Sequence, residues 1–270
     1  MRSVFQQDRY EREITDNGYT IINGFALAVV CDELTNFYTE NCVDATSLFT
    51  ISNWSKDPKH RTAVYEKIVQ QLLVLTQPYL LNYRPVMGVY TAKRPGAQSD
   101  MLLHQDWSLV DEARYRSVSV WVALCDMDTE NGNLQVARYS HEYAGMPRGM
   151  HVPVPFEEIR EEMQQKYMTD IPLKKGDAIV FDHRLIHASP PNRSNAIRLA
   201  AVLALIPGEA ELWHYYYDLT KRNELEVLKM DEEVFRQLNF FDLAQKPKHI
   251  ESLGVIPYTF QRISIDQVKR

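Results

Sequence analysis

Residues 104 to 106 read His-Gln-Asp and follow the apolar run Met101-Leu102-Leu103. In an extended chain, side chains two apart point to one side, so His104 and Asp106 aim an imidazole and a carboxylate at one point. Taken alone, the triplet is equally a structural histidine beside a surface aspartate. A second stretch changes its meaning. After a Lys175-Gly176-Asp177 turn an apolar strand leads towards His187, and eleven residues further on Arg198 sits in the apolar run Ile197 to Val202. An arginine buried in such a strand needs a partner for its charge.

Two histidines and one carboxylate on one face of a metal, with the other positions open, is the ligand set associated with non-heme Fe(II) oxygenases. His104, Asp106 and His187 supply it. Three protein ligands leave three octahedral positions, enough for a bidentate co-substrate and for oxygen. The spacing from His187 to Arg198 permits a strand, a turn and an antiparallel return that turns the guanidinium into the same cavity. There it can take a carboxylate through paired hydrogen bonds. Ser189, two residues after His187, falls on the same side and could add a hydroxyl.

These residues resemble the phytanoyl-CoA dioxygenase-like branch of the Fe(II)/2-oxoglutarate oxygenases. The resemblance rests on His104-Gln105-Asp106, Glu130-Asn131-Gly132-Asn133-Leu134 followed by Ser140-His141, Lys175-Gly176-Asp177, and His187-Ala188-Ser189 with Arg198. It implies Fe(II) on His104, Asp106 and His187, with Arg198 clamping the distal carboxylate of 2-oxoglutarate. It further implies Trp121 near that co-substrate, and Tyr90, or in second place Lys93, as a contact from the upstream strand. O2 is the other co-substrate, and the products are succinate, CO2 and an oxidised small metabolite, an amino acid or a natural-product intermediate. Related halogenases lack the carboxylate ligand; Asp106 keeps it, so hydroxylation of an unactivated C–H bond is the expected outcome. The family commonly has Pro-Gly-Ser-His after the Asn-Gly turn, where this chain reads Ala137-Arg138-Tyr139-Ser140-His141, and that departure bears on the substrate.

The scaffold around these residues is read from periodicity. Phe5 to Asp16 is helical and closed by Asn17-Gly18, and Cys31–Cys42 and Lys59–Leu75 are packing helices, the second with Val64, Ile68, Leu72 and Leu75 near one face. From Tyr83 to about Leu205 short strands alternate with turns, interrupted by one helix over Phe156–Tyr167. That rhythm predicts a mainly β fold with flanking helices, a double-stranded β-helix (jelly roll, cupin-like) core. A single domain over 1–270 is expected, with core strands about 84–206, helical support in 1–83 and an extension over 207–270. Helical spacing is read from Asp218 through Phe241, and Ala244 to Arg270 is irregular.

Composition narrows the partners. A net charge of −6 over 270 residues, without a basic stripe, speaks against nucleic acid or an anionic membrane surface. No apolar run approaches the roughly 20 residues of a membrane span. Cys31, Cys42 and Cys125 form no CxxC pair, which fits free thiols in the cytoplasm. Monomer and homodimer stay open.

Other side chains carry weaker expectations. Gln105 either faces away from the metal or contacts the co-substrate or substrate. Trp107, Arg114 and Arg116 are packing or solvated residues that could reach a pocket mouth. His183 is a neighbouring histidine and no ligand, and His141 orients a turn. Trp213 to Tyr217 is core or subunit contact, alternatively a lid. The competing class is a cupin-like metal-binding protein, an isomerase or ligand-binding module without oxygenase activity; Arg198 separates the two, because such a protein has no dicarboxylate to clamp.

Overall fold

The computed structural model describes residues 1–42, 47–239, 242–243, 245–247 and 249–269. Helix α1 (Asp8–Asn17) ends where Asn17-Gly18 predicts. Gly18 takes φ 86° and returns its N–H to Ile14 O at 3.0 Å. A Cβ there would stand 2.7 Å from His141 Nδ1, so glycine is needed both for the left-handed cap and for the close approach. Strand β1 (Tyr19–Ile22) follows, then α2 (Ala28–Asn41) and α3 (Pro58–Thr76). Asp57 caps α3 by accepting from Lys59 N, with Pro58 in the first turn. Val64, Ile68 and Leu72 are buried as their spacing requires.

The strands are β2 (Phe49–Ile51), β3 (Tyr83–Lys93), β4 (Met101–His104), β5 (Val118–Ala123), β6 (Leu134–Val136), β7 (Thr169–Ile171), β8 (Ala178–Asp182), β9 (His187–Ser189) and β10 (Arg198–Pro207). Six form one antiparallel sheet in the order β1-β8-β5-β10-β3-β2, and four form a second in the order β4-β9-β6-β7. Every residue of β5 and β10 is buried, because both faces of the large sheet are covered. Alternation sorts the side chains. Val118, Val120, Val122, Leu199, Ala201, Leu203 and Tyr90 pack towards α1–α3, while Trp121, Ala123, Ala200, Val202 and Phe181 pack towards β6 of the small sheet.

This arrangement corrects the expected fold class. Three open antiparallel sheets and a helical layer make a mixed α/β fold, and among the described residues no sheet closes into a barrel or jelly roll. The strands themselves were legible; closure was not, because it depends on which strands pair. The ladders of the large and small sheets share no strand, and α1–α3 occupy a face that periodicity alone does not assign.

A third sheet, β11 (Trp213–Tyr216), β12 (Glu224–Lys229) and β13 (Glu251–Pro257), replaces most of the helix expected after Asp218. Leu225 and Val227 alternate inward on β12 and bury with Tyr215, Tyr217 and Tyr258, so the aromatic cluster is core and not a lid. Among the described residues of this stretch only Glu232–Gln237 is helical, and Phe241 and Ala244, where two of the expected spans end or begin, lie outside the described residues. The inserted helix is a 3-10 turn over Glu157–Ile159 continuing into Arg160–Lys166. No helix among the described residues is long and apolar enough to cross a membrane.

Candidate metal centre

His104 ends β4 and is the register partner of His187, which begins β9. Their ring centroids are 4.1 Å apart. Asp106 lies two residues beyond β4 and still reaches the same point. One ligand atom from each of His104, Asp106 and His187 falls within 4.8 Å of the others, with Asp106 Oδ1 3.9 Å from His187 Nε2.

The hydrogen bonds fix which nitrogens are available. His104 Nδ1 lies 2.8 Å from Leu102 O, and His187 Nδ1 lies 2.9 Å from Leu185 O. A carbonyl only accepts, so each Nδ1 carries the proton and each Nε2 presents a lone pair to the cluster. Burial, then the neighbouring His187, pushes the His104 pKa down to about 3, so the ring is neutral as a metal requires. Burial alone would raise Asp106, but His183, His187, His104 and the Ser119 hydroxyl together outweigh it and hold the carboxyl below its usual range. Two imidazoles and an ionised carboxylate at this separation fit a divalent transition metal.

The trio lines a cavity of about 410 Å³ between the large and small sheets. Arg198 reaches that cavity from the opposite wall. It does not arrive on a hairpin return from β9, as the spacing suggested: β9 belongs to the small sheet and β10 to the large one, so His187 and Arg198 face each other across the space between them. Arg198 is 2 % exposed, its Nε has no partner, and no carboxylate pairs with it among the described residues. Its guanidinium lies over the Trp121 ring, 5.3 Å from the centroid. Burial pulls its pKa down to about 10, which leaves it charged at neutral pH. An unpaired buried cation is costly unless a ligand supplies the anion.

Ser189 and Trp121 line the cavity. Tyr90 does not. It shares strand parity with Ala92 on the helical face, where its hydroxyl donates to Leu34 O at 3.0 Å, and this corrects its expected role as a co-substrate contact. Lys93 is wholly buried on the other parity, and its Nζ donates to Ser189 O at 2.6 Å and to Pro190 O, bracing β9 from below. Gln105 lines the cavity, but its amide N–H groups are spent on Ala144 O and Arg184 O, which makes it a strut. Trp107 reaches the cavity. Arg116 turns away towards Asp182 and Glu11, and Arg114 lies over the Tyr115 ring. His141 Nε2 meets Thr15 O at 2.9 Å, a turn-orienting role.

Two residues escaped the sequence reading. Ser119 donates to Asp106 Oδ2 at 2.9 Å. Its signal was a hydroxyl interrupting an apolar strand on the same parity as Trp121. Arg148 donates through Nε to Asp106 O at 2.8 Å and pairs with Glu112 through both terminal nitrogens, joining the segment after Ala144 to the backbone of the acidic residue. Nothing in the spacing announces that contact.

The two-histidine, one-carboxylate cluster beside an unpaired arginine is the arrangement that metal-dependent enzymes with a dicarboxylate co-substrate require. The phytanoyl-CoA dioxygenase (PhyH) family model matches residues 50–200, more than half of the chain. The chain belongs to this family, within the Fe(II)/2-oxoglutarate-dependent oxygenase superfamily. It is similar to the phytanoyl-CoA dioxygenase domain-containing protein 1 of Danio rerio, 24% identical over 230 residues that cover 78% of this chain and 77% of the relative. Among solved structures it is similar to the non-heme alpha-ketoglutarate-dependent carbocyclase SnoK from nogalamycin biosynthesis, with TM-score 0.53, 18% identity and coverage of 76% of this chain and 86% of that one. It is also similar to HygX from Streptomyces hygroscopicus, solved with nickel, 2-oxoglutarate and hygromycin B, with TM-score 0.52, 14% identity and coverage of 75% and 88%. At these identities the structural likeness speaks to the fold.

Proposed function

We propose that this protein is an Fe(II)/2-oxoglutarate-dependent dioxygenase that hydroxylates an unactivated C–H bond of a small, largely apolar metabolite. The observation that carries the reading is the pairing of the His104, Asp106 and His187 cluster with a buried, unpartnered Arg198 in one cavity. His104 Nε2, His187 Nε2 and Asp106 hold the iron. Arg198 receives the distal carboxylate of 2-oxoglutarate, with Ser189 on the same wall and Trp121 covering the guanidinium face. Bound Fe(II) with 2-oxoglutarate and O2 supplies oxidative decarboxylation to succinate and CO2, coupled to replacement of C–H by C–OH. Asp106 occupies the position that a halide would need, which favours hydroxylation over halogenation.

The rest of the cavity bears on the substrate. Trp54, Trp107, Leu109, Val152 and Phe235 are among its walls, and Asp106 is the only carboxylate in its lining among the described residues. A free amino acid brings an ammonium that would find no anion there, so an apolar natural-product skeleton suits the cavity better. The test is succinate release under air across metabolite pools, with mass detection of a product heavier by one oxygen. Succinate release that rises with an apolar substrate supports the reading; absence of 2-oxoglutarate turnover in an iron-loaded preparation, with and without substrates, contradicts it.

A further inference from the structure

We propose that His183, acting through Ser119, is a positioning residue that holds Asp106 so that a single carboxylate oxygen faces the metal. The inference rests on the reading of His104, Asp106 and His187 as the metal ligands and adds a residue which that reading does not use. His183 follows β8 and is 2 % exposed. Its Nε2 lies 3.1 Å from Ser119 Oγ and 3.8 Å from Asp106 Oδ2, and Ser119 Oγ lies 2.9 Å from the same Oδ2.

Donor counting orders these contacts. An ionised carboxylate only accepts, so the one hydroxyl proton of Ser119 is committed to Asp106 Oδ2. Ser119 Oγ can meet His183 only as an acceptor, so Nε2 of His183 carries a proton and donates it. The chain of donation runs His183 to Ser119 to Asp106, all in one direction. On its far side His183 Nδ1 rests 3.3 Å from Trp107 O, a carbonyl that only accepts, so the two contacts at 3.1 and 3.3 Å are met together when each ring nitrogen presents an N–H. Asp106 Oδ2 is thereby engaged with protein, while Oδ1 is the oxygen 3.9 Å from His187 Nε2.

The consequence concerns coordination positions. Two imidazoles and one carboxylate oxygen leave three octahedral positions, which a bidentate keto acid and O2 fill. Were Asp106 released from Ser119, its second oxygen could turn to the metal and take one of them. The relay therefore keeps Asp106 to one oxygen and preserves the position for the co-substrates. Outer partners of metal ligands have this orienting effect generally.

The experiment uses the full chain loaded anaerobically with Co(II), whose visible ligand-field spectrum reports coordination, and titrated with 2-oxoglutarate. Ser119→Ala and His183→Ala are compared with wild type and with the conservative His183→Gln, whose amide N–H can still donate to Ser119. The expected result is Co(II) affinity weakened about 10–100-fold in both alanine variants, a changed spectrum, weaker 2-oxoglutarate binding, and recovery of the spectrum in His183→Gln. Thermal melting of the metal-free proteins identifies any variant that fails to fold; if His183→Ala does, Ser119→Ala and His183→Gln carry the comparison. Alanine variants that fold and show wild-type affinity and spectrum overturn the relay while leaving the metal centre intact. A wild-type protein that takes up no Co(II) overturns the metal centre itself, and the relay with it.

Discussion

Lys93 and Arg198 are register partners on adjacent strands, two buried basic side chains neither of which pairs with a carboxylate among the described residues. Burial first, and the Arg198 charge second, push the Lys93 pKa down to about 6. A neutral amine has two N–H groups, and Lys93 has two carbonyl acceptors, on Ser189 and Pro190. In the unfolded chain the same lysine holds its proton up to about 10.4. Between those values the unfolded state binds more protons, so raising the pH through the window stabilises the fold, and the gain is lost as the pH falls towards 6. Chemical denaturation at pH 6.5 and pH 9 should show stability increasing with pH in wild type, by at most about 1.4 kcal/mol per pH unit, and a flatter dependence in Lys93→Met. Equal slopes in the two proteins would count against a neutral Lys93.

Arg198 separates co-substrate binding from metal binding. Truncating one partner of a buried charge pair costs about 2–5 kcal/mol, so Arg198→Ala should weaken 2-oxoglutarate affinity by at least about 30-fold while Fe(II) affinity holds. Arg198→Lys should recover little, because an ammonium lacks the planar fork and the contact over Trp121. Calorimetric titration of metal and of 2-oxoglutarate on each variant measures both quantities. Parallel loss of both affinities would make Arg198 structural.

Tyr90 supplies the opposite expectation. Its hydroxyl is bound to Leu34 O among core residues on the helical face. Tyr90→Phe should lower stability by about 1 kcal/mol and leave 2-oxoglutarate affinity unchanged. Thermal melting with a 2-oxoglutarate titration checks this, and a clear affinity loss would return Tyr90 to the cavity.

The contrast between Arg198 and Tyr90 shows what the sequence could and could not disclose. Arg198 was legible because a charge in an apolar strand demands a partner, and His104, Asp106 and His187 because residue type and spacing suffice for a ligand set. Tyr90 was placed by its strand alone, and which face a strand residue takes depends on pairing register. Once Arg198↔Lys93 and Ala200↔Thr91 are known to be partners, the odd-numbered residues Met87 to Lys93 share the cavity side with Arg198 and Tyr90 falls on the other. The same gap accounts for the expected jelly roll, which the described residues do not form: strand spacing predicted strands, while their division between two open sheets rests on long-range pairing. In β12, the inward alternation of Leu225 and Val227 is a strand signal that charged neighbours at helical spacing obscured.

The most direct measurement is an anaerobic titration of Fe(II) and 2-oxoglutarate into the protein, followed by visible absorption. A keto acid chelating iron in this site gives a weak metal-to-ligand charge-transfer band, and the proposed function predicts that band in wild type, its loss in His187→Ala, and a need for far more 2-oxoglutarate in Arg198→Ala. Fe(II) bound with no band at saturating 2-oxoglutarate would contradict the assignment and favour a metal-binding protein without oxygenase chemistry.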